Sequence, residues 1–289
     1  MVKRGKKKNS NALKKKAAKK IAKKVTKKIG GRRARKIAKK RHAKKILGKR
    51  HLKKNFFRRK ESDRVVTGIY NFDGLIGGGF EKNSTNLVVG GSGAGKTIFA
   101  THFLVEGMKK GEKGLYVTFE EKKEQFFENM KDFGWDLADY EKKGLFTFLE
   151  YSPHKVKTML EEGGGTIESV ILKKKISRMV IDSITSFELL FEGELAKREA
   201  ALELFGMIRD WDCTSLLTLD ENVEGKGLTS GTMEFEADSI ILLYYIRNKN
   251  ERQRRIEVVK MRGTKHSSSL YNFEIGKRGI IIGKSAVRG

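Results

Sequence analysis

The sequence predicts an α/β fold: a mostly parallel, twisted sheet flanked by helices, with C-terminal antiparallel strands and a basic arm in front. Three observations lead there. Between residues 87 and 246, short apolar runs alternate with amphipathic stretches, as strand–helix repeats do. Beyond residue 250, three apolar runs follow one another and read as an antiparallel extension. The charge is also split. Residues 1–60 carry 30 Lys and Arg and no Asp or Glu, whereas 61–289 carry the other 33 against all 35 acids. The net +28 is therefore +30 from the arm and −2 from the rest. The expected domains are a low-complexity Lys/Arg-rich arm, 1–60, and a globular domain, 61–289, long enough for one large core.

The elements follow in order. Leu87–Val89 reads as a buried strand, and Ile98, Phe99, His102, Phe103 and Gly107 continue at helical spacing. Leu115–Phe119 is a second strand, ending at Glu120-Glu121. Lys122–Phe133 is a helix with Phe126, Phe127, Met130 and Phe133 as its apolar face. Leu145–Leu149 is a third strand, and Val156–Lys175 a helix interrupted at Gly163–Gly165. Met179–Ile181 is a fourth strand, ending at Asp182, and Ala196–Trp211 an amphipathic helix. Ser215–Leu219 and Ile240–Ile246 are further strands. Arg255–Lys260, Leu270–Ile275 and Gly279–Ile282 form the C-terminal extension.

Several classes are excluded. No run of about 18 apolar residues could span a membrane as a helix. The N-terminus lacks the apolar stretch of a secretory signal. The lone Cys213 allows no internal disulfide, which fits a reducing, cytoplasmic setting.

In the arm, Leu13, Ala17, Ile21, Val25 and Ile29 make a thin helical stripe that Gly30-Gly31 interrupts. The stripe is too thin for the density of like charge, so the arm is expected to be disordered alone and partly helical on a polyanion. Nucleic acid is the favoured partner. A merely solubilising arm and an anionic membrane surface are the alternatives. If about ten phosphates were neutralised, log K would fall with log[salt] at a slope of roughly −9.

The chemistry centres on Gly90-Gly91-Ser92-Gly93-Ala94-Gly95-Lys96-Thr97, followed by Ile98. A Gly-x-x-x-x-Gly-Lys-Thr run between a strand and a helix is the phosphate-binding P-loop spacing. Its glycines let backbone N–H groups wrap a phosphate chain, and the helix N-terminus faces the same anion. Lys96 would reach the β- and γ-phosphates of ATP, and Thr97 would ligate Mg²⁺. Asp182, ending a short apolar strand, would hold the Mg²⁺ water shell; the alternative is a helix cap. Glu120 and Glu121 would polarise a water; the alternative is an N-terminal capping pair. Strand alternation makes the two inequivalent, and Glu120 faces the phosphates if the strand continues through it.

The globular part resembles a single-lobe KaiC-like ATPase of the RecA/RadA superfamily, over residues 64–284. The likeness is carried by Val66-Thr-Gly-Ile, by Phe72-Asp73-Gly-Leu-Ile-Gly-Gly-Gly79, and by Lys110-Gly-Glu-Lys-Gly-Leu-Tyr-Val-Thr-Phe-Glu-Glu121. Further matches are Phe133-Gly-Trp-Asp-Leu137, Glu161-Glu-Gly-Gly-Gly165, Ile181-Asp-Ser-Ile-Thr185 and Lys260-Met-Arg-Gly-Thr-Lys-His266. The resemblance implies a RecA-like core, an archaeal or bacterial cytosolic protein, and ATP and Mg²⁺ as ligands. It also implies a ring-like oligomer, a hexamer, in which Lys260 and Arg262 reach a neighbour's nucleotide as catalytic cations. Two solvated cations on an edge strand are the plain alternative. His266 assists or only orders its loop, and Thr218 senses the γ-phosphate or is a buried strand threonine. Two departures stand out. Phe80 follows Gly79 where the family usually has Pro. Glu234 and Phe235 stand where the autokinase lobe has phosphorylatable Ser and Thr, so autophosphorylation is not expected, although Thr229 and Thr232 lie near. The leading function is an oligomeric ATPase with a nucleic-acid-binding arm. The alternatives are a RadA-paralogue-like recombination accessory and an ATP-gated signalling or scaffold module with a protein partner.

Overall fold

A computed structural model describes residues 64–151, 165–221, 223 and 232–287. They lie in one compact unit, Glu61–Gly289. The arm and most of residues 222–231 fall outside the described residues, as does the Glu161–Gly164 part of the family match.

Strands β1 (Arg64–Val65) and β2 (Phe80–Glu81) pair antiparallel and enclose the short helix α1 (Phe72–Leu75). Phe80, the substitute for Pro, is fully buried and packs edge-on against Phe72 and Phe103. The chain then runs through β3 (Thr85–Gly90), α2 (Lys96–Lys109), β4 (Gly114–Thr118), α3 (Lys123–Lys131), α4 (Leu137–Lys142) and β5 (Phe146–Glu150). There follow α5 (Gly165–Lys174), β6 (Arg178–Asp182), α6 (Thr185–Glu188), α7 (Glu194–Asp210) and β7 (Thr214–Asp220). The described chain ends with α8 (Thr232–Glu236), β8 (Ser239–Asn248), β9 (Glu251–Met261), β10 (Tyr271–Gly276) and β11 (Gly279–Ala286).

Nine strands form one sheet in the order β11-β10-β9-β8-β3-β7-β6-β4-β5. From β8 to β5 all neighbours are parallel, and from β8 to β11 all are antiparallel. The fold is thus RecA-like α/β, mostly parallel with antiparallel C-terminal strands. Alternation explains its three layers. Val88, Tyr116, Val180, Leu216 and Ile241 face one core with Phe99, Phe103 and Phe126 of α2 and α3. Their neighbours Leu87, Leu115, Met179, Leu217 and Ile240 face a second core with Ile171, Leu204 and Phe205 of α5 and α7. Both faces of the central strands are buried, so apolar residues occupy both of their sides.

The strands expected from sequence are present, with ends moved by one or more residues. The helix expected over 156–175 is α5, Gly165–Lys174, and the part before Gly165 lies outside the described residues. The strand expected to reach Phe119 ends at Thr118. Thr118 Oγ1 accepts the backbone N–H groups of Glu120 (3.2 Å) and Glu121 (3.1 Å), which turns the chain out of the sheet.

Candidate active site

The crevice lies at the C-terminal ends of the parallel strands, where ligands of open α/β sheets bind. β3 delivers the chain to the loop 91–95, and α2 starts at Lys96. Gly93 (φ 75°) and Gly95 (φ 102°) occupy left-handed backbone, and a Cβ on Gly95 would lie 2.9 Å from Ile275 Cδ1. Gly95 is the N-cap of α2 and offers no capping side chain, so the first-turn N–H groups remain open to an anion. Lys96 is buried; its Nζ donates to the Gly91 carbonyl at 3.0 Å and pairs with Asp220.

Asp182, the last residue of β6, gathers three hydroxyls. Thr97 Oγ1 donates to Oδ2 at 2.8 Å, the Tyr116 hydroxyl donates to Oδ2 at 2.5 Å, and Thr218 donates to Oδ1. Burial, and then the negative Asp182, push the Tyr116 phenol well above its ordinary range, so it stays a donor. Asp182 therefore does not cap α6, whose N-cap is Ile184 with no side-chain bond. Thr218 is buried and bonded into this cluster.

The two glutamates part company. Glu120 Oε1 accepts from Ser186 Oγ and, at 3.4 Å, from Ser183 Oγ. Glu121 is held above the usual carboxylate range by burial first, then by Asp182 and Glu120. Its carboxyl thus senses Asp182, whereas Glu120 is engaged by the segment after β6. The expectation that Glu120 faces the phosphates assumed a continuing strand, and that condition fails at Thr118. Nor is the pair needed as a cap: Glu150 Oε1 accepts the Lys123 N–H at 3.0 Å at the start of α3.

A cavity of about 550 Å³ opens beside the loop, bounded by Gly93 and Gly95–Ile98 together with Phe133, Arg254 and Ile275. Lys260 and Arg262 are not in it. Lys260 Nζ (3.2 Å) and Arg262 Nη2 (2.7 Å) both donate to the Phe235 carbonyl, and Arg262 also meets Asp238 at 3.4 Å. Register explains the separation. Lys260 pairs with Ile240, whose strand neighbour in β3 is Leu87, while the loop follows Gly90, level with Leu243. The two cations thus lie toward the opposite end of the strands from the loop. His266 Nδ1 lies 3.0 Å from the Ser267 carbonyl oxygen.

Sequence reading missed Tyr116, Asp220 and Arg254. Tyr116 belongs to the site because β4 neighbours β6, and Asp220 because β7 neighbours β3, pairings that local pattern does not encode. Their polar character inside or at the end of apolar runs was the one available signal.

The family model described as "ATPase: KaiC" matches residues 65–287. The chain belongs to the KaiC family of ATPases. Among its relatives, the circadian clock protein KaiC3 of Synechocystis is 34% identical over 230 residues, covering 76% of this chain and 45% of that protein. This chain thus spans about half the length of that curated relative. A UPF0273 protein of Pyrococcus horikoshii is 34% identical over 232 residues, covering 76% of this chain and 93% of the relative. The crystal structure of a KaiC-like protein from the same archaeon matches with a TM-score of 0.68 and 38% identity, over 76% of this chain and 98% of that one. Membership of the KaiC family supports an ATPase of the RecA-like superfamily. Among the described residues no helix is long and apolar enough to cross a membrane.

Proposed function

We propose that this KaiC-family chain hydrolyses ATP with Mg²⁺ at the loop 90–97, acts within a ring-like oligomer, and uses residues 1–60 to hold nucleic acid. The observation that carries the reading is the contact between Thr97 and Asp182 beside a glycine cradle and a buried lysine. The residues suit Mg·ATP: oxygen donors on one side, open backbone N–H groups and an ammonium on the other. The N–H groups of 91–97 bind the phosphates, and the cavity beside Phe133 and Ile275 receives the nucleoside. Lys96 leaves Asp220 for the β- and γ-phosphates. Thr97 and Asp182 would hold the metal, which when bound neutralises phosphate charge. Glu120 and Glu121 orient the attacking water and take its proton. Lys260 and Arg262 of a neighbouring subunit would neutralise charge on the transferring phosphoryl group. Their outward position in one chain favours such a trans role over a cis one.

Two variants test the site. Lys96→Ala should abolish tight ATP binding. The double variant Glu120→Gln/Glu121→Gln should keep binding and lose turnover by roughly 10²- to 10⁴-fold, because an amide is not a base. Phosphate release at the parent rate from the double variant would remove the catalytic assignment.

A further inference from the structure

Strands β8 and β9 run past the level of the phosphate-binding loop. Gly90 is level with Leu243, and β8 continues to Asn248. The hairpin so formed carries Arg247, Lys249, Arg252, Arg254 and Arg255, with Glu251 as its acid. Register pairs Arg247 directly with Arg252, and Tyr245 with Arg254. Like charges placed opposite one another destabilise a strand pair. Here they are also held together. Arg252 and Arg254 both lie over the Tyr245 ring, at 5.1 and 4.3 Å from its centroid. Arg252 Nη1 donates to the Tyr245 carbonyl at 3.2 Å. Among the described residues, none of the five cations is ion-paired with a carboxylate. Arg247, Lys249 and Arg252 are exposed. Concentrated cations without counterions, fixed by an aromatic ring, are what a bound polyanion stabilises.

We propose that the β8–β9 hairpin is a second nucleic-acid contact, separate from residues 1–60, that binds the phosphate backbone. Residues 252 and 254 project to one face about 7 Å apart, the scale of successive phosphates along an extended strand. Guanidinium forks take phosphate oxygens two at a time. Nucleic acid is chosen over an acidic protein for this regular spacing, and because residues 1–60 add 30 cations to the same chain. The surface is joined to the nucleotide site. Arg254 Nε donates to the Gly93 carbonyl at 3.2 Å, and the Tyr245 ring stands 3.4 Å from where a Gly93 Cβ would lie. A phosphate that draws Arg254 outward loosens the loop, so nucleic acid changes ATP turnover. This coupling rests on the ATPase reading above; the binding does not.

The test uses the full chain and two paired variants, Arg247→Glu/Arg252→Glu and Arg247→Gln/Arg252→Gln. Duplex DNA affinity is measured across a salt series, and ATP turnover with and without DNA. The slope of log K against log[salt] should become shallower by about 2 in both variants. Affinity should drop further in the Glu pair. Turnover without DNA should match the parent, and its response to DNA should vanish. A Glu pair with the parent's slope and DNA response overturns the proposal and leaves residues 1–60 as the contact. Displacement of DNA by polyglutamate as effectively as by unlabelled DNA overturns the choice of nucleic acid. A parent chain without turnover defeats the ATPase reading instead, and the change in slope then still decides the binding surface. The neutral Gln pair guards against misfolding caused by reversed charge.

Discussion

His102 shows how a residue at helical spacing acquires a charge state from its surroundings. It sits in α2, packs against the Trp135 ring at 5.2 Å, and accepts the Ile280 N–H at 3.4 Å. Burial, then Lys109, lower its pKa from the ordinary 6.5 to about 4, against opposing effects of Glu106 and a backbone hydrogen bond to Gly68. The ring is therefore neutral in the folded chain at pH 7. The unfolded chain takes up the proton near pH 6.5, so it binds more protons than the native state between about 6.5 and 4. This contribution is complete above pH 6.5 and is lost as pH falls towards 4, at most about 3 kcal/mol. His102→Gln should be less stable than the parent at pH 7 and should lose less stability on acidification. Urea unfolding at pH 7 and pH 5 checks this, and parallel losses in both chains would reject the assignment.

At the scale of elements, Arg178 ties β6 to its surroundings. It is fully buried at the first residue of that strand. Its Nε (2.6 Å) and Nη2 (3.2 Å) donate to Glu112, and its Nη1 donates to the carbonyls of Val66 and Phe103, each at 2.8 Å. The guanidinium also lies 4.8 Å from the centroid of the Phe103 ring. Gly107, inside α2, makes the room: a Cβ there would lie 2.4 Å from Arg178 Nε. One side chain thus joins the segment before α1, the helix of the phosphate-binding loop and the strand that ends in Asp182. Arg178→Met should destabilise the chain by about 3 kcal/mol, because two buried carbonyls lose their donor and Glu112 its partner. Thermal or urea unfolding reads that loss. A change below about 0.5 kcal/mol would show that the burial is incidental.

For the whole molecule, the decisive separation is between the loop at the C-terminal end of β3 and Lys260 and Arg262, which lie toward the opposite end of the strands. A phosphate site at one end of the strands and two cations toward the other end is what the proposed head-to-tail ring requires. Within the chain, the cations are held by the Phe235 carbonyl, with Asp238 steadying Arg262. Arg262→Ala should lower turnover at least tenfold while leaving ATP affinity within a few-fold, since the lost charge acts in the transition state. Mixing it with the Glu120→Gln/Glu121→Gln variant should restore part of the activity, because some interfaces regain both parts. Verified mixed oligomers that stay inactive would count against the trans role, as would a chain that remains monomeric with ATP.

The sequence by itself determined the α/β class, the nine strands of the large sheet and the phosphate-binding loop, but not the β1–β2 pair. These are local or periodic: a run such as Met179–Ile181 is apolar whatever lies beside it, and Gly93 and Gly95 are needed by the backbone of their own loop. Tertiary structure decided which residues meet. Asp182 collects Thr97, Tyr116 and Thr218 only because β4, β6 and β7 are neighbours in the sheet. The different surroundings of Glu120 and Glu121 depend on Thr118 ending β4 and on serines that follow β6. A strand ending at Lys260 was legible, one residue short of Met261, but the Phe235 carbonyl that holds Lys260 and Arg262 comes from α8, beyond any periodicity of β9. Periodicity states which face of an element is apolar. Packing chooses the neighbour, and hydrogen-bond partners and proton affinities follow from the neighbour.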